Sequence, residues 1–181
     1  MINWLRRLWA TIESTVSPRY FYQISGRWLP WFAWPAALLI ATGLVWGLAI
    51  APADYQQGNS YRIIFIHVPA ASLAMGGYLL LAICGAITLI WRVKTAEMVA
   101  KAAAPVGALF CLMALLTGSL WGKPTWGTYW VWDARLTSML ILLFLYFGVM
   151  ALQNAFEEIS QGSKAAALLA VVGVVNLPII K

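Results

Sequence analysis

Between Arg62 and Arg92 the sequence reads IIFIHVPAASLAMGGYLLLAICGAITLIW, from Ile63 to Trp91, without one Asp, Glu, Lys or Arg. A helix of about 20 apolar residues is long enough to cross the hydrocarbon core of a bilayer. This stretch exceeds that length. It therefore predicts a membrane-spanning helix and indicates the fold class of the whole chain.

Four further stretches lack charged residues in the same way. They lie between Arg27 and Asp54, Lys101 and Lys123, Arg135 and Glu157, and Lys164 and Lys181. Of the 181 residues, 62% are hydrophobic and only 10% are charged, against about 25% charged in soluble domains. Because lipid offers no hydrogen-bond partner to an open backbone, spanning segments must be helical here. We therefore expect an all-α, polytopic membrane bundle of five transmembrane helices.

Small residues within these spans indicate close contacts between helices. Glycines at positions 76, 77, 85 and 118 accompany many alanines, and such residues let helix backbones approach one another in membranes. The pattern predicts a compact bundle.

Residues 1–27 form a separate amino-terminal segment. Its apolar residues recur at near-helical spacing around Arg6 and Arg7, until Ser17 and Pro18 interrupt the pattern: Ile2, Leu5, Leu8, Trp9, Ile12 and Val16. This spacing predicts a short interfacial helix. The segment lacks the continuous apolar run and cleavage site of a signal peptide. We expect it to be retained and to precede a transmembrane domain of residues 28–181.

The distribution of Lys and Arg predicts the orientation of the bundle. The amino-terminal side of the spans carries eight of them and the other side four: Arg6, Arg7, Arg19, Arg27, Arg92, Lys94, Lys101 and Lys164 against Arg62, Lys123, Arg135 and Lys181. Since cytoplasmic loops carry the excess of positive charge, we expect a cytoplasmic amino terminus. The same bias accounts for the net charge of +6, and no basic run indicates a nucleic-acid partner.

The segment of residues 121–135 has the most unusual composition in the chain. Four tryptophans are interleaved with glycine and charged residues: Trp121, Gly122, Lys123, Trp126, Gly127, Trp130, Trp132, Asp133 and Arg135. A tryptophan near the end of a span is usually an interfacial anchor, and Trp28, Trp31 and Trp34 are interpreted in that way. The interleaved charges of the 121–135 segment instead favour a loop on the outer face that binds a flat, partly charged guest.

Asp133 needs either water or a partner in this position, because an acid at bilayer depth costs about 2.5–3.5 kcal/mol. Arg135 is the nearest candidate. Residues two apart share a side of an extended segment and not of a helix. The pair therefore requires a non-helical loop, or the partner comes from elsewhere, for example Arg62.

His67 is the only histidine and lies five residues after Arg62, which predicts a position near the outer surface. A single histidine near a span end is commonly a hydrogen-bonded bundle residue. Ionisable groups within spans are nevertheless functional candidates, and neutral imidazole is a common axial ligand of haem iron. A porphyrin would need aromatic walls, an axial base and cations for its propionates. Composition alone equally permits a quinone or a lipid headgroup as the guest.

Several separated motifs distinguish between these guests. Trp126-Gly127-x-x-Trp130-x-Trp132-Asp133-x-Arg135 resembles the tryptophan-rich "WWD" signature of haem-handling membrane proteins. Residues 51–59, His67-Val68-Pro69-Ala70-Ala71 and residues 174–180 are similar to the CcmC family of bacterial cytochrome c maturation. The resemblance extends from about Pro18 to Ile180.

This resemblance implies haem transport rather than an enzyme. CcmC-like proteins bind haem b non-covalently at the periplasmic face of the inner membrane and deliver it to the haem chaperone CcmE. They associate with the CcmA–CcmB transporter and with CcmD. Carried over, His67 is an axial ligand and the segment from Trp126 to Asp133 is the haem platform. Arg62, Lys123 and Arg135 are our candidates for propionate partners.

The sequence departs from the family pattern at Lys181, where the family has a second outward histidine followed by a sixth span. Lysine is protonated near neutral pH and is a poor axial ligand unless it is desolvated. The second ligand therefore stays open, as does whether the chain is a fragment, a truncated copy or a five-span variant. Two other functions also stay open: a permease subunit for haem or another apolar solute, and a structural membrane subunit without a ligand.

Overall fold

The structure is a computed structural model that describes residues 17–180. Helix α1 (Pro18–Val45) continues into a π-helical turn (Trp46–Ile50), and a 3-10 turn (Asn59–Ile63) leads into α2 (Ile64–Trp91). The remaining helices are α3 (Lys94–Trp126), α4 (Ala134–Asn154), α5 (Ile159–Gly173) and, after a 3-10 turn (Val174–Asn176), the short α6 (Leu177–Ile180). The interfacial helix predicted before Ser17 lies outside the described residues.

Within residues 17–180, five helical segments are long and apolar enough to cross a membrane, which agrees with the five spans predicted there. They are Pro18–Ile50, Asn59–Trp91, Lys94–Trp126, Ala134–Asn154 and Ile159–Ile180. The all-α fold class is confirmed as well. Successive spans run in opposite directions, so the 51–58 and 127–133 connections and Ile180 share one end of the bundle. We call this the site end, and the end with the 92–93 and 155–158 connections the opposite end.

The core lies between α2, α3, α4 and α5 and is built on small residues that face large ones. Tyr146 on α4 donates a hydrogen bond to the carbonyl of Ala74 on α2 at 2.7 Å. A Cβ at Gly107 on α3 would collide with the Tyr146 ring, and one at Gly77 on α2 would lie 2.8 Å from its hydroxyl. The tyrosine therefore fills a groove that only glycine leaves open. This packing holds α2, α3 and α4 close together.

The predicted packing role of glycine holds at three of four positions. A Cβ at Gly85 would lie 2.9 Å from the Ala167 carbonyl oxygen, and one at Gly118 would lie 3.0 Å from the His67 ring. Gly77 meets Tyr146 as described above. Gly76 has nothing within 4 Å of such a Cβ, so the prediction is wrong there, because this residue faces away from its neighbours.

Helix α1 lies at the edge of the bundle, and no residue of its Pro18–Val45 range is buried. Trp31 and Trp34 are 76% and 78% exposed. The span is tied to the core at the site end, where Arg62 donates to the carbonyls of Leu48 and Ala51 at 2.9 and 2.8 Å. These bonds satisfy carbonyls that the end of a helix leaves without intrahelical partners.

Candidate functional site

The tryptophan-rich segment is less of a loop than its sequence predicts. Helix α3 continues through Trp126 and ends at Gly127, whose φ of 79° is the left-handed conformation that glycine adopts most easily. The backbone N–H of Gly127 bonds to the carbonyl of Lys123 at 3.0 Å. Pro124 removes one backbone donor without ending the helix. We therefore distinguish a helical half, Trp121–Trp126, from a loop half, residues 127–133.

Asp133 closes the loop half by capping the next helix. Its Oδ1 accepts a hydrogen bond from the backbone N–H of Leu136 at 2.7 Å, as the N-cap residue of α4. An arginine partner for Asp133, expected from the sequence, is therefore not the arrangement found, since a backbone amide holds the carboxylate. The signal was present in the sequence, because an Asp directly before an apolar helical run is typical of an N-cap.

His67 lies in the first turns of α2 and contacts α3. Its Nδ1 is 3.0 Å from Thr117 Oγ1. The ring meets that of Trp121 edge to face, with centroids 5.8 Å apart and an angle of 69° between planes. The expected proximity of the histidine to the aromatic segment is confirmed.

These residues border a cavity of about 470 Å³ at the site end. That volume lies within the range of about 300–1,000 Å³ that is usual for small-molecule sites. Of the residues predicted to form the site, the structure brings four to this cavity: His67, Trp121, Trp126 and Arg135. The remaining lining is mostly apolar and comes from Gln57, Ala71, Met75, Ala114, Leu115, Gly118, Gly122, Thr125, Leu136, Met139 and Ile180.

Gln57 is a site residue that the sequence analysis missed. Its Oε1 accepts a hydrogen bond from Trp121 Nε1 at 2.7 Å. The Asp54 carboxylate fixes the backbone here by accepting from the amides of Gln56 and Gln57 at 2.9 and 2.8 Å. The first site-end connection therefore holds the indole that faces His67. The sequence signal was the motif of residues 51–59, which gave no role to an individual side chain.

The loop half lies beside the cavity rather than along it. Trp130 and Trp132 pack edge to face with centroids 5.5 Å apart. Trp132 is 76% exposed, whereas Trp130 Nε1 is enclosed and has no hydrogen-bond partner among the described residues. Neither indole lines the cavity. These two tryptophans therefore form an aromatic pair outside the lining of the cavity.

The three predicted cations have different surroundings. Lys123 donates to the Gly127 carbonyl at 3.0 Å and lies 5.2 Å from the centroid of the Tyr129 ring, so it stabilises the start of the loop half. Arg62 uses both Nη atoms on backbone carbonyls of Leu48 and Ala51. Arg135, in the first turn of α4, is exposed and borders the cavity.

The lining fits a flat apolar guest with a metal at its centre and an anionic edge. Indoles of Trp121 and Trp126 supply aromatic walls, and Arg135 supplies a cation. His67 Nε2 has no hydrogen-bond partner among residues 17–180. It is also not one of the side-chain nitrogens there that are both enclosed and unpartnered, which are Arg62 Nε and Trp130 Nε1. That nitrogen is therefore open to a ligand, and the donor set matches a metalloporphyrin that needs one axial base.

Comparison with known proteins identifies the family of this chain. Residues 11–181 match the model of the CcmC family, described as heme exporter protein C. The chain is 53% identical over 173 residues to heme exporter protein C of Escherichia coli (strain K12), which covers 96% of this chain and 71% of that protein. The Haemophilus influenzae protein of the same name is 50% identical over 173 residues, or 96% and 70% of the two chains. For Bradyrhizobium diazoefficiens the identity is 52% over 171 residues, or 94% and 65%. This chain belongs to the CcmC family.

Proposed function

We propose that this protein binds haem non-covalently at the periplasmic face of the bacterial inner membrane and delivers it to the haem chaperone CcmE for cytochrome c maturation. The name of its relatives, heme exporter protein C, supports a role in haem handling. The chain contributes binding and positioning, while the chemistry belongs to the iron and its ring.

The observation that carries the proposal is the open Nε2 of His67 beside a cavity with indole walls. Among residues 17–180, no group of three or more His, Cys, Asp or Glu side chains could hold a metal ion. A porphyrin brings four nitrogen ligands of its own and needs only an axial base from the protein. One accessible imidazole is therefore sufficient for this guest.

Each half of the aromatic segment has a separate task in this proposal. Trp121 and Trp126 flank the ring within the cavity, where aromatic contacts add about 0.5–1.5 kcal/mol each beyond area burial. Arg135 pairs with a propionate. Trp130 and Trp132 form the outer platform over which haem leaves, since their indoles lie beside the cavity and Trp132 is largely exposed.

The orientation and the partners are part of the same proposal. The excess of Lys and Arg on the amino-terminal side favours a cytoplasmic amino terminus and a periplasmic site end. Release to a chaperone then takes place outside the membrane core. Membership of the CcmC family supports association with the CcmA–CcmB transporter and with CcmD.

Haem absorption tests the ligand role directly. The chain is purified in detergent after expression with added haem, with an affinity tag that contains no histidine, because the chain itself has only one. We expect the haem affinity, measured from the Soret band during titration, to fall about tenfold in His67→Ala, which corresponds to about 1.4 kcal/mol. Trp31→Ala is the matched control, because Trp31 is exposed on α1. Equal Soret intensity in wild type and His67→Ala, with both proteins folded, would overturn the proposed site.

Delivery is tested separately with the purified chaperone. Loaded protein is mixed with CcmE, the two are separated, and haem is measured in each fraction. We expect haem to move to the chaperone. Retention of all haem by a well-loaded chain would contradict delivery and leave binding intact.

A further inference from the structure

Thr117 connects His67 to the backbone of α3. Its Oγ1 lies 3.0 Å from His67 Nδ1 and donates to the carbonyl of Met113 at 2.7 Å. A second, longer bond runs from the same hydroxyl to the Ala114 carbonyl at 3.3 Å. Both side chains are partly buried, so water competes little for these bonds.

The number of protons on the Thr117 hydroxyl determines which group donates in the contact with His67. A threonine hydroxyl has one proton to donate and two lone pairs that accept. Bonding of this proton to the carbonyl four residues earlier is a common arrangement in helices, and here it is the shorter contact. The oxygen then has only lone pairs to offer His67.

We propose that Thr117 is a positioning residue, which holds His67 in the tautomer that carries its proton on Nδ1 and leaves the Nε2 lone pair free for a metal. This inference rests on the proposed haem site and assigns the group that prepares its ligand. A ligating histidine usually donates its other N–H to a nearby acceptor, and that bond fixes the tautomer and the ring orientation. A neutral ring has one donor and one acceptor nitrogen.

Two neighbours hold the plane of the ring that Thr117 orients. Trp121 meets it edge to face. Gly118 leaves the space that the ring fills, because a Cβ there would lie 3.0 Å from His67 Cε1. The imidazole is therefore fixed by contacts on α3 before any haem arrives.

Nitrogen-15 NMR of the haem-free chain tests the tautomer without reference to haem. His67 is the only histidine, so selective labelling gives one pair of ring signals when the affinity tag contains no histidine. Spectra are recorded near pH ~8.5, about two units above the ordinary pKa of histidine. Long-range proton–nitrogen correlations then show which nitrogen is protonated. We expect Nδ1–H in the wild-type chain.

Three variants isolate the hydroxyl. Thr117→Val removes it at nearly constant shape, and we expect a shift of the population towards Nε2–H. Thr117→Ser restores the hydroxyl and should restore Nδ1–H. Thr42→Val is the matched control, because Thr42 donates to the Leu38 carbonyl at 2.8 Å in the same helical pattern on α1, and it should leave His67 unchanged. Thermal unfolding in detergent verifies that all variants fold.

Haem titration of the same variants measures the consequence. Loss of such a supporting partner typically weakens metal binding by about 10- to 100-fold, and we expect this range for Thr117→Val with recovery in Thr117→Ser. An Nε2–H tautomer in the wild type, or an unchanged tautomer in Thr117→Val, would overturn the inference whatever haem does. Equal haem binding in wild type and His67→Ala would overturn the proposed site instead, and the tautomer result would stand.

Discussion

The two halves of the aromatic segment have similar composition and different surroundings. Trp121 and Trp126, in the helical half, border the cavity, and Trp121 is held between Gln57 and the His67 ring. Trp130 and Trp132, in the loop half, contact each other outside the cavity. The difference shows that tryptophans close together in sequence need not line the same cavity. Their positions depend on where the helix ends, and here it ends at Gly127.

Among these substitutions, the largest loss of haem affinity is expected from filling the cavity with a side chain from α3. Gly118→Leu places side-chain atoms against His67 and into the cavity that Gly118 lines, so haem affinity should fall more than about tenfold, or 1.4 kcal/mol. Leucine is the better helix former by several tenths of a kcal/mol, so the helix itself should persist. Haem titration in detergent provides the measurement. In the control Gly43→Leu, the new side chain meets open space and affinity should not change. Equal affinity in both variants would mean that haem does not enter this cavity.

A paired substitution separates binding from transfer. Trp121→Phe keeps an aromatic wall and loses the hydrogen bond to Gln57. We expect haem affinity to fall by roughly two- to tenfold, since a hydrogen bond contributes about 0.5–1.5 kcal/mol. Trp132→Phe should leave affinity within about twofold and slow transfer to CcmE. Affinity is measured by titration, and transfer by stopped-flow absorbance. The reverse pattern, with Trp132 controlling affinity, would show that the loop half holds the guest.

The smallest expected change in haem affinity concerns the two arginines, Arg135 and Arg62. Arg135→Gln should weaken haem binding by about two- to fivefold at low salt and less at high salt, because an exposed ion pair contributes about 0.2–1 kcal/mol and is screened. Arg62→Gln should leave affinity unchanged, because the guanidinium holds Leu48 and Ala51. It should instead lower the thermal midpoint and expose the 46–51 turn to proteases. A salt-dependent loss of affinity in Arg62→Gln would contradict this assignment and restore Arg62 as a propionate partner.

Part of the site could be predicted from residue types. A lone histidine near a span end and tryptophans interleaved with charge are rare enough to be noticed, and His67 and Trp121 do meet. Gln57 and Thr117 could not be predicted in the same way, because their bonds join residues 64 and 50 positions apart. Such contacts depend on how the helices pack. For Asp133 the local signal of a helix cap was present, but the sequence analysis predicts a charge pair with Arg135 instead of the bond to the Leu136 amide.

The sequence alone determined that residues 17–180 form a helical membrane bundle with five apolar spans. The reason is that the free energy of moving side chains and backbone from water into lipid accumulates residue by residue along each span. It also determined the CcmC resemblance, through motifs that need no coordinates. Tertiary structure decided which indoles border the cavity, which arginine is free to meet an anion and which nitrogen of His67 stays open. The physical reason is that close packing sets the helix positions, since Gly107 and Gly118 leave no room for a Cβ against Tyr146 and His67. Hydrogen bonds across the bundle exist only at those positions.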